Sequence, residues 1–303
     1  MRPGDVPEGE RLADAISRYE DHNGVLPGLA PPGPRETFVE QLIESERRRR
    51  FVRWLVTADL TLARTDPSSE LFDPLKAAAL HRRAGHIDEA FWMVFLFVQF
   101  GRSRRGGWRY AREVYGRRGE GTWDWHAVAA DPASFRAWFT ENAAAIRNAA
   151  PGGFGNHRKY ESLARTGEVV GSYVDWVGPT RSHADRFERA IAAAAGDARA
   201  AFADLYASMA TITRFGRTAR FDYLATADRL ALAAIEPDRA YLSNATGPLT
   251  GARLLFGRPV GGPHALDDGL RVLGSHLGLG MDVVEDAVCN WQKSPAVFKP
   301  FRG

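Results

Sequence analysis

Apolar residues recur at intervals of three and four along most of the chain, which is the spacing of one face of an α-helix. Residues 37–57 place Phe38, Leu42 and Trp54 roughly on one side, although the arginines 47–50 interrupt that face. Alternating strand patterns bounded by hairpin turns are nearly absent. The pattern predicts an all-α protein of about ten or more helices.

Helix start and stop signals accompany this periodicity. Asp73 and Asp131 are each followed by proline, which is typical of an N-cap with proline at the first helical position. Gly85 is expected to end the first of these two helices. Residues 87–100 are apolar nearly all round, which is typical of a central buried helix.

Residues 24–34 contain four prolines and three glycines, a composition that favours a linker. We therefore predict an N-terminal extension and linker over residues 1–35, with one short docking helix before the linker. Residues 36–303 are predicted to form a single multi-helix domain, because no second linker interrupts the helical pattern.

The composition is that of an ordinary globular protein, with 45% hydrophobic and 25% charged residues. A single cysteine, Cys289, excludes an internal disulfide and a cysteine-based zinc cluster. The N-terminal residues have no signal-peptide core, and the longest apolar run is about half of a membrane span. We predict a cytoplasmic protein that does not insert into a membrane. The net charge of +3 suits contact with phosphate but does not establish nucleic-acid binding.

The first candidate site is the segment 152–161, in which glycines precede Asn156, His157, Arg158, Lys159 and Tyr160. Asn156 is a natural N-cap, and free amides at a helix start favour an anion that the following cations would also bind. The alternative is a capped helix whose basic first turn is simply solvated.

The second candidate is the segment 214–224. Arg214, Arg217 and Arg220 are spaced by three, so they would share one helical face if the helix continues through all of them. Asp222 is the one acidic residue in the segment and is a candidate base or an ion-pair partner. A surface stripe of arginines is the alternative.

The third candidate is the last helix, whose polar stripe comprises Asp282, Asp286, Asn290 and Lys293, with Glu285 beside it. Carboxylates this close repel one another unless cations or a metal neutralise them. Oxygen ligands would suit Mg²⁺, which makes this ion a candidate cofactor. A solvated acidic stripe is the alternative.

Several stretches together resemble the alpha-glutamyl/putrescinyl thymine pyrophosphorylases, and their third clade in particular. The resemblance covers about residues 37–303 and is carried by the stretches FDPLKAA from Phe72, EAFW from Glu89, GFGNHRKYE from Gly153, SYVDW from Ser172, FGR from Phe215, FDYL from Phe221, ATGP from Ala245 and EDAVCNWQK from Glu285.

This resemblance implies an all-α fold related to the helix-hairpin-helix DNA glycosylases and to the amino acid:DNA transferases. It also implies that an amine or amino acid displaces pyrophosphate from a 5-pyrophosphomethyl pyrimidine, in DNA or in a nucleotide. Two alternatives stay open, namely a DNA glycosylase acting on modified bases and a non-catalytic DNA-binding module.

The candidate residues fit such a reaction in distinct roles. Binding of the pyrophosphate is assigned to Arg158, Lys159, Arg217 and Arg220, assisted by Lys293, with Asn156, Tyr160 and Asn290 as further substrate contacts. Proton transfer is assigned to Asp222, with His157 as another catalytic candidate. Glu285 or Asp286 would orient the amine or a metal. An aromatic pocket for the base would use Phe154, Tyr160, Tyr173, Trp176 and Tyr223.

Overall fold

A computed structural model describes residues 1–155, 161–257 and 261–300. Over these residues the chain forms fourteen α-helices and no β-strand, which confirms the prediction of an all-α fold. In chain order the helices are α1 (Val6–Asn23), α2 (Pro34–Leu55), α3 (Pro74–Arg83), α4 (Ile87–Phe100), α5 (Arg109–Tyr115), α6 (Trp125–Ala130), α7 (Pro132–Ala149), α8 (Thr166–Val177), α9 (His183–Ala193), α10 (Ala198–Ser208), α11 (Arg217–Arg229), α12 (Gly247–Phe256), α13 (Pro263–Leu277) and α14 (Met281–Trp291).

The helix boundaries confirm the predicted caps. Asp73 Oδ1 accepts the backbone N–H of Lys76 at 3.2 Å at the start of α3. Asp131 Oδ1 accepts that of Ser134 at 2.9 Å at the start of α7. Each bond satisfies an N–H that has no partner within the helix. Gly85 follows α3 with a φ of +80°, a left-handed conformation that glycine adopts readily and that ends the helix.

The chain divides into two compact units. Of the described residues, Met1–Phe51 and those of 236–300 form one unit, and those of Val52–Ile235 form the other. The predicted domain boundary near residue 36 stays a prediction, and the first unit contains the residues on both sides of it.

The first unit is built around apolar side chains of α1, α13, α14 and the N-terminal part of α2. Leu12 and Ile16 of α1 belong to the same buried cluster as Leu273 of α13. The guanidinium of Arg11 also donates to the carbonyl oxygen of Leu277 at 2.9 Å. The docking helix predicted before the linker is therefore α1, and it packs on α13.

The second unit surrounds α4, which packs against α3, α9 and α11. Residues Ala90–Leu96 are fully buried, so the prediction of a central buried helix is confirmed. Stacked rings fill the space around it, with the ring centroids of Phe95 and Tyr173 at 4.0 Å. No helix in the described parts of the chain has both the length and the apolar character needed to cross a bilayer.

The crossing of α12 and α14 depends on Gly251. A Cβ at this position would overlap the carbonyl oxygen of Val288 on α14. We expect Gly251→Ala to lower the free energy of unfolding by about 1–3 kcal/mol, because overpacking forces the helices apart. Gly171→Ala, in the interior of α8 where an added Cβ meets nothing within 4 Å, is the matched control.

Urea unfolding of both variants measures this difference. The control is expected to be neutral or to gain about 0.5–1 kcal/mol, since alanine loses less conformational entropy than glycine in a helix. Equal stability of the two variants would contradict the close approach of α12 and α14.

Candidate active site

Helix α11 places two arginines in its first turn. The helix begins at Arg217 after the extended N-cap residue Gly216. Arg217 is buried, with its guanidinium carbon 4.8 Å from the centre of the Phe221 ring. The guanidinium carbon of Arg220 lies 4.6 Å from the centre of the Tyr206 ring. Cations at a helix N-terminus oppose the helix dipole, so this turn fits a site that holds an anion.

Arg220 strengthens this interpretation. Its Nη1 donates to the Tyr206 carbonyl oxygen at a long 3.4 Å, whereas its buried Nε has no hydrogen-bond partner among the described residues. A buried donor without a partner costs roughly 1–3 kcal/mol. A phosphate oxygen bound at this position would remove that cost.

Arg214, Arg217 and Arg220 do not share one helical face, because the helix does not continue through all three. Helix α11 begins only at Arg217, and Arg214 precedes it in a left-handed conformation with a φ of +54°. Arg214 instead donates from Nε to Glu161 Oε2 at 3.1 Å. Because Glu161 directly follows residues 156–160, this contact joins the segment before α11 to the end of the first candidate site.

Five candidates of the first site, Asn156, His157, Arg158, Lys159 and Tyr160, lie outside the described residues. The chain that leads into them is anchored on α4. The N–H of Gly155 donates to the carbonyl oxygen of Phe100 at 2.8 Å, and the Phe154 ring stacks on that of Phe100 at 5.9 Å. The roles assigned to these five residues stay predictions.

Asp222 lies in α11 between Phe221 and Tyr223, two aromatic residues that are both fully buried. Asp222 itself is half-buried. The buried neighbours fix this turn of the helix against the core, so Asp222 occupies a defined position on the helix.

A buried chain of hydrogen bonds, which the sequence did not reveal, holds α11 in place. His183 Nδ1 lies 3.1 Å from Asp88 Oδ1, and the Tyr173 hydroxyl lies 2.6 Å from His183 Nε2 and 2.9 Å from the Tyr223 hydroxyl. With the histidine proton on Nδ1 facing Asp88, Nε2 accepts from Tyr173, which in turn accepts from Tyr223. The four residues come from α4, α9, α8 and α11, so they tie these helices together.

Burial and hydrogen bonding set the charges in this chain. Burial lowers the pKa of His183, although its bonds to Asp88 oppose this. Partial burial raises the pKa of Asp88, but the bonds from the side chain and backbone of His183 outweigh it, and the net shift is downward. This hydrogen-bond chain therefore contains the ionised carboxylate of Asp88 and the imidazole of His183, which burial keeps from gaining a second proton.

The aromatic pocket predicted from the sequence is not formed by Tyr173, Trp176 and Tyr223. Tyr173 and Tyr223 are fully buried, and Trp176 is 6% exposed. Their rings pack on one another in the interior, with 5.9 Å between the centroids of Tyr173 and Trp176. Sequence reveals aromatic character but not depth, and these rings are part of the core.

The polar stripe of α14 meets arginines of α2. Both Nε and Nη2 of Arg48 donate to Asp286 Oδ2, at 3.1 and 2.5 Å. Asn290 Nδ2 donates to Asp286 Oδ1 at 2.8 Å, and Lys293 Nζ donates to Asn290 Oδ1 at 2.9 Å. Asp286, Asn290 and Lys293 are thus brought together, in a network that includes an arginine missed by the sequence analysis.

A second pair of the same kind involves Asp282, which is 2% exposed and lies 3.5 Å from Arg49 Nε. Glu285 is buried beside it. Carboxylates this close need cations or a metal, and arginines of α2 supply the cations for Asp282 and Asp286. Across the described residues, no group of three or more His, Cys, Asp and Glu side chains is arranged to hold a metal ion. The Mg²⁺ requirement stays a prediction.

The candidate residues thus fall into the two units. Asp222, Arg217 and Arg220 lie in α11 of the second unit, whereas Glu285, Asp286, Asn290 and Lys293 lie in or directly after α14 of the first.

Comparison with known proteins identifies a family for almost the whole chain. The family described as alpha-glutamyl/putrescinyl thymine pyrophosphorylase clade 3 matches residues 34–303. The chain belongs to this family. No curated protein and no solved structure matches it.

Membership in the thymine pyrophosphorylase family confirms the resemblance seen in the sequence motifs. The family description points to hypermodified thymine and to an enzyme of pyrophosphate chemistry. The relation to the helix-hairpin-helix DNA glycosylases stays a prediction, since no solved structure matches the chain.

Proposed function

We propose that this protein displaces pyrophosphate from a 5-pyrophosphomethyl pyrimidine, in DNA or in a nucleotide, and joins an amine or amino acid to the base. The observation that carries the proposal is the family match over residues 34–303, together with the buried Arg217 and the half-buried Arg220 in the first turn of α11. Pyrophosphate leaves readily only where its developing charge is neutralised, and paired guanidinium groups supply that neutralisation.

The reaction balances with groups that the chain contains. The amine nitrogen forms a bond to the methylene carbon, and the carbon–oxygen bond to pyrophosphate breaks with its electron pair leaving on oxygen. The attacking nitrogen becomes positively charged and must lose a proton. Asp222 is proposed as the base that accepts it, since it lies in the same helix as the arginines.

The pyrophosphate is proposed to lie against Arg217 and Arg220, with Arg158 and Lys159 as additional cations from the neighbouring segment. The contact between Arg214 and Glu161 supports this arrangement because it joins the two segments. We propose a structural role within the first unit for the network of Asp286, Asn290 and Lys293 with Arg48, since these side chains hydrogen-bond to one another.

Binding of pyrophosphate tests the anion site. Pyrophosphate is expected to raise the melting temperature of the protein, because a ligand at ~100 times its Kd stabilises by about 2.7 kcal/mol. Arg220→Gln is expected to reduce this shift, since it removes the unpartnered donor. Arg189→Gln, at an exposed position on α9, is the matched control and should leave the shift unchanged.

If Arg220→Gln and Arg189→Gln show the same shift as the wild-type protein, the first turn of α11 does not bind pyrophosphate. The reaction would then need another anion site. The two rival functions make different predictions, because a DNA glycosylase leaves abasic sites and a non-catalytic module leaves every base unchanged.

A further inference from the structure

Five arginines cluster on one surface of the second unit, outside the site described above. Arg102, Arg104 and Arg105 are exposed in the loop between α4 and α5. Arg109 begins α5 and Arg147 lies in the last turn of α7, and both are exposed as well. Arg109 Nη1 donates to the carbonyl oxygen of Ala149 at 3.1 Å, which brings α5 to the end of α7.

The three loop arginines make no hydrogen bond or ion pair with any described residue. The arginines of α2 differ, since Arg47, Arg48 and Arg50 all meet carboxylates. Glu70 interacts with Arg109 but is already paired with Arg112 at 2.8 Å. At Arg102, Arg104 and Arg105 the surface therefore presents positive charge that no described residue pairs with.

The loop backbone is held rigidly although its arginine side chains are exposed. Ser103 and Gly107 exchange two backbone hydrogen bonds of 2.9 Å, which close the turn that carries Arg104 and Arg105. A Cβ at Gly106 would lie 2.5 Å from the carbonyl oxygen of Pro151. Glycine at this position thus lets the turn pack on the chain before residues 156–160.

A second close approach continues this packing. A Cβ at Gly155 would lie 2.6 Å from the backbone nitrogen of Arg102. The arginine loop therefore lies directly against residues 151–155, which lead into the predicted anion-binding segment. A partner bound along the loop would extend toward that segment.

We propose that this arginine surface, comprising Arg102, Arg104, Arg105, Arg109 and Arg147, binds the phosphate backbone of duplex DNA. The proposal rests on the proposed function and specifies a polymer, and not a free nucleotide, as the substrate. Duplex DNA carries one negative charge per roughly 1.7 Å of helix axis, so several exposed arginines at fixed positions can contact phosphates at the same time. A mononucleotide would neutralise only one or two of them.

The surroundings favour a duplex over a single strand or a membrane. The half-buried Trp108 ring packs on Phe97 at 5.3 Å, and the buried Tyr110 ring packs on Phe154 at 5.1 Å, so both rings are engaged by other rings of the protein. Single strands are bound through exposed rings on which bases stack, and membrane surfaces through exposed apolar side chains. Among the described residues 101–115 and 141–155 no large apolar side chain is exposed, so charge dominates this surface.

Fluorescence anisotropy with a labelled, unmodified DNA duplex of about 20 base pairs tests the proposal, with binding measured at several salt concentrations. The test variant carries Arg102→Ala, Arg104→Ala and Arg105→Ala. The control carries Arg136→Ala, Arg189→Ala and Arg199→Ala, three exposed arginines elsewhere in the second unit. Both variants lose the same charge, and circular dichroism establishes that both are folded.

The test variant is expected to bind at least tenfold more weakly, and the slope of log K against log salt is expected to fall by about 2–3, since each phosphate contact contributes about 0.9. The control should bind like the wild-type protein. Equal weakening of both variants, or an unchanged test variant, would overturn the proposal, as would tighter arginine-dependent binding to phosphatidylserine vesicles or to single strands.

This binding assay needs no turnover, so its outcome is independent of the chemistry. Duplex binding without any base modification would leave the surface intact and reject the proposed reaction. Turnover of a free nucleotide without duplex binding would support the proposed reaction and reject the DNA-binding surface.

Discussion

Asp222→Asn is expected to reduce turnover by about 10²–10⁴-fold, the range typical of a positioned general base. Asparagine has nearly the same shape and cannot accept the amine proton. The substitution lies on a helix whose neighbouring side chains, Phe221 and Tyr223, are buried, so the fold should be retained. Steady-state release of pyrophosphate by the wild-type and variant proteins measures the effect.

The melting shift caused by pyrophosphate is the control for Asp222→Asn, and it should be largely unchanged. Loss of turnover together with loss of pyrophosphate binding would mean that Asp222 only supports Arg217 or Arg220. Unchanged turnover would exclude Asp222 as the base and would direct attention to His157.

The pH dependence of stability is expected to depend strongly on Glu89. Burial raises the pKa of this carboxyl to about 7, although the N–H of Trp125, which lies 2.7 Å from Glu89 Oε2, lowers it in part. Below the unfolded pKa, near 4.5, both states hold the proton. As the pH rises from there to about 7, the unfolded chain releases its proton first, so the folded state loses stability.

Glu89→Gln removes this titration and retains an oxygen for the N–H of Trp125. Relative to the wild-type protein, the variant is expected to gain about 3 kcal/mol in free energy of unfolding between pH 4 and pH 8. Urea unfolding at several pH values measures the difference, with Glu188→Gln on the exposed surface of α9 as the control for loss of one charge. A difference that does not vary with pH would contradict a raised pKa at Glu89.

Local signals in the sequence predicted the helices well. The caps at Asp73 and Asp131 depend on residues three positions away, so they can be recognised without knowing the fold. The sequence alone was sufficient to predict contacts between residues a few positions apart.

The sequence could not predict contacts between distant residues. Arg48 and Asp286 are separated by 238 positions, and the arginines of α2 appeared only as an interruption of an apolar face. The position of Arg214 could not be predicted for a different reason. Spacing by three implies a shared helical face only where the helix is continuous, and this helix begins at Arg217. The burial of Tyr173 and Tyr223 could not be predicted either. Their hydroxyl groups lie 2.9 Å apart in the core, and no short motif encodes this contact between residues 50 positions apart.

The free arginines of the loop between α4 and α5 illustrate the same limit. Exposed arginines are common, and the sequence does not reveal which of them have a carboxylate partner. Only the structure distinguishes Arg104 and Arg105, which lack a partner among the described residues, from Arg47 and Arg48, which are paired. That distinction makes the loop a candidate DNA surface.

The most direct test of the proposed function supplies the purified protein with DNA, or with a nucleotide, that carries 5-pyrophosphomethyl-uracil, together with amino acids or polyamines. Mass spectrometry of the digested nucleosides and an assay for pyrophosphate follow the reaction. We expect equal amounts of released pyrophosphate and of a base that carries the amine. An abasic site would instead show a DNA glycosylase, and an unchanged base with every amine supplied would contradict the proposed reaction.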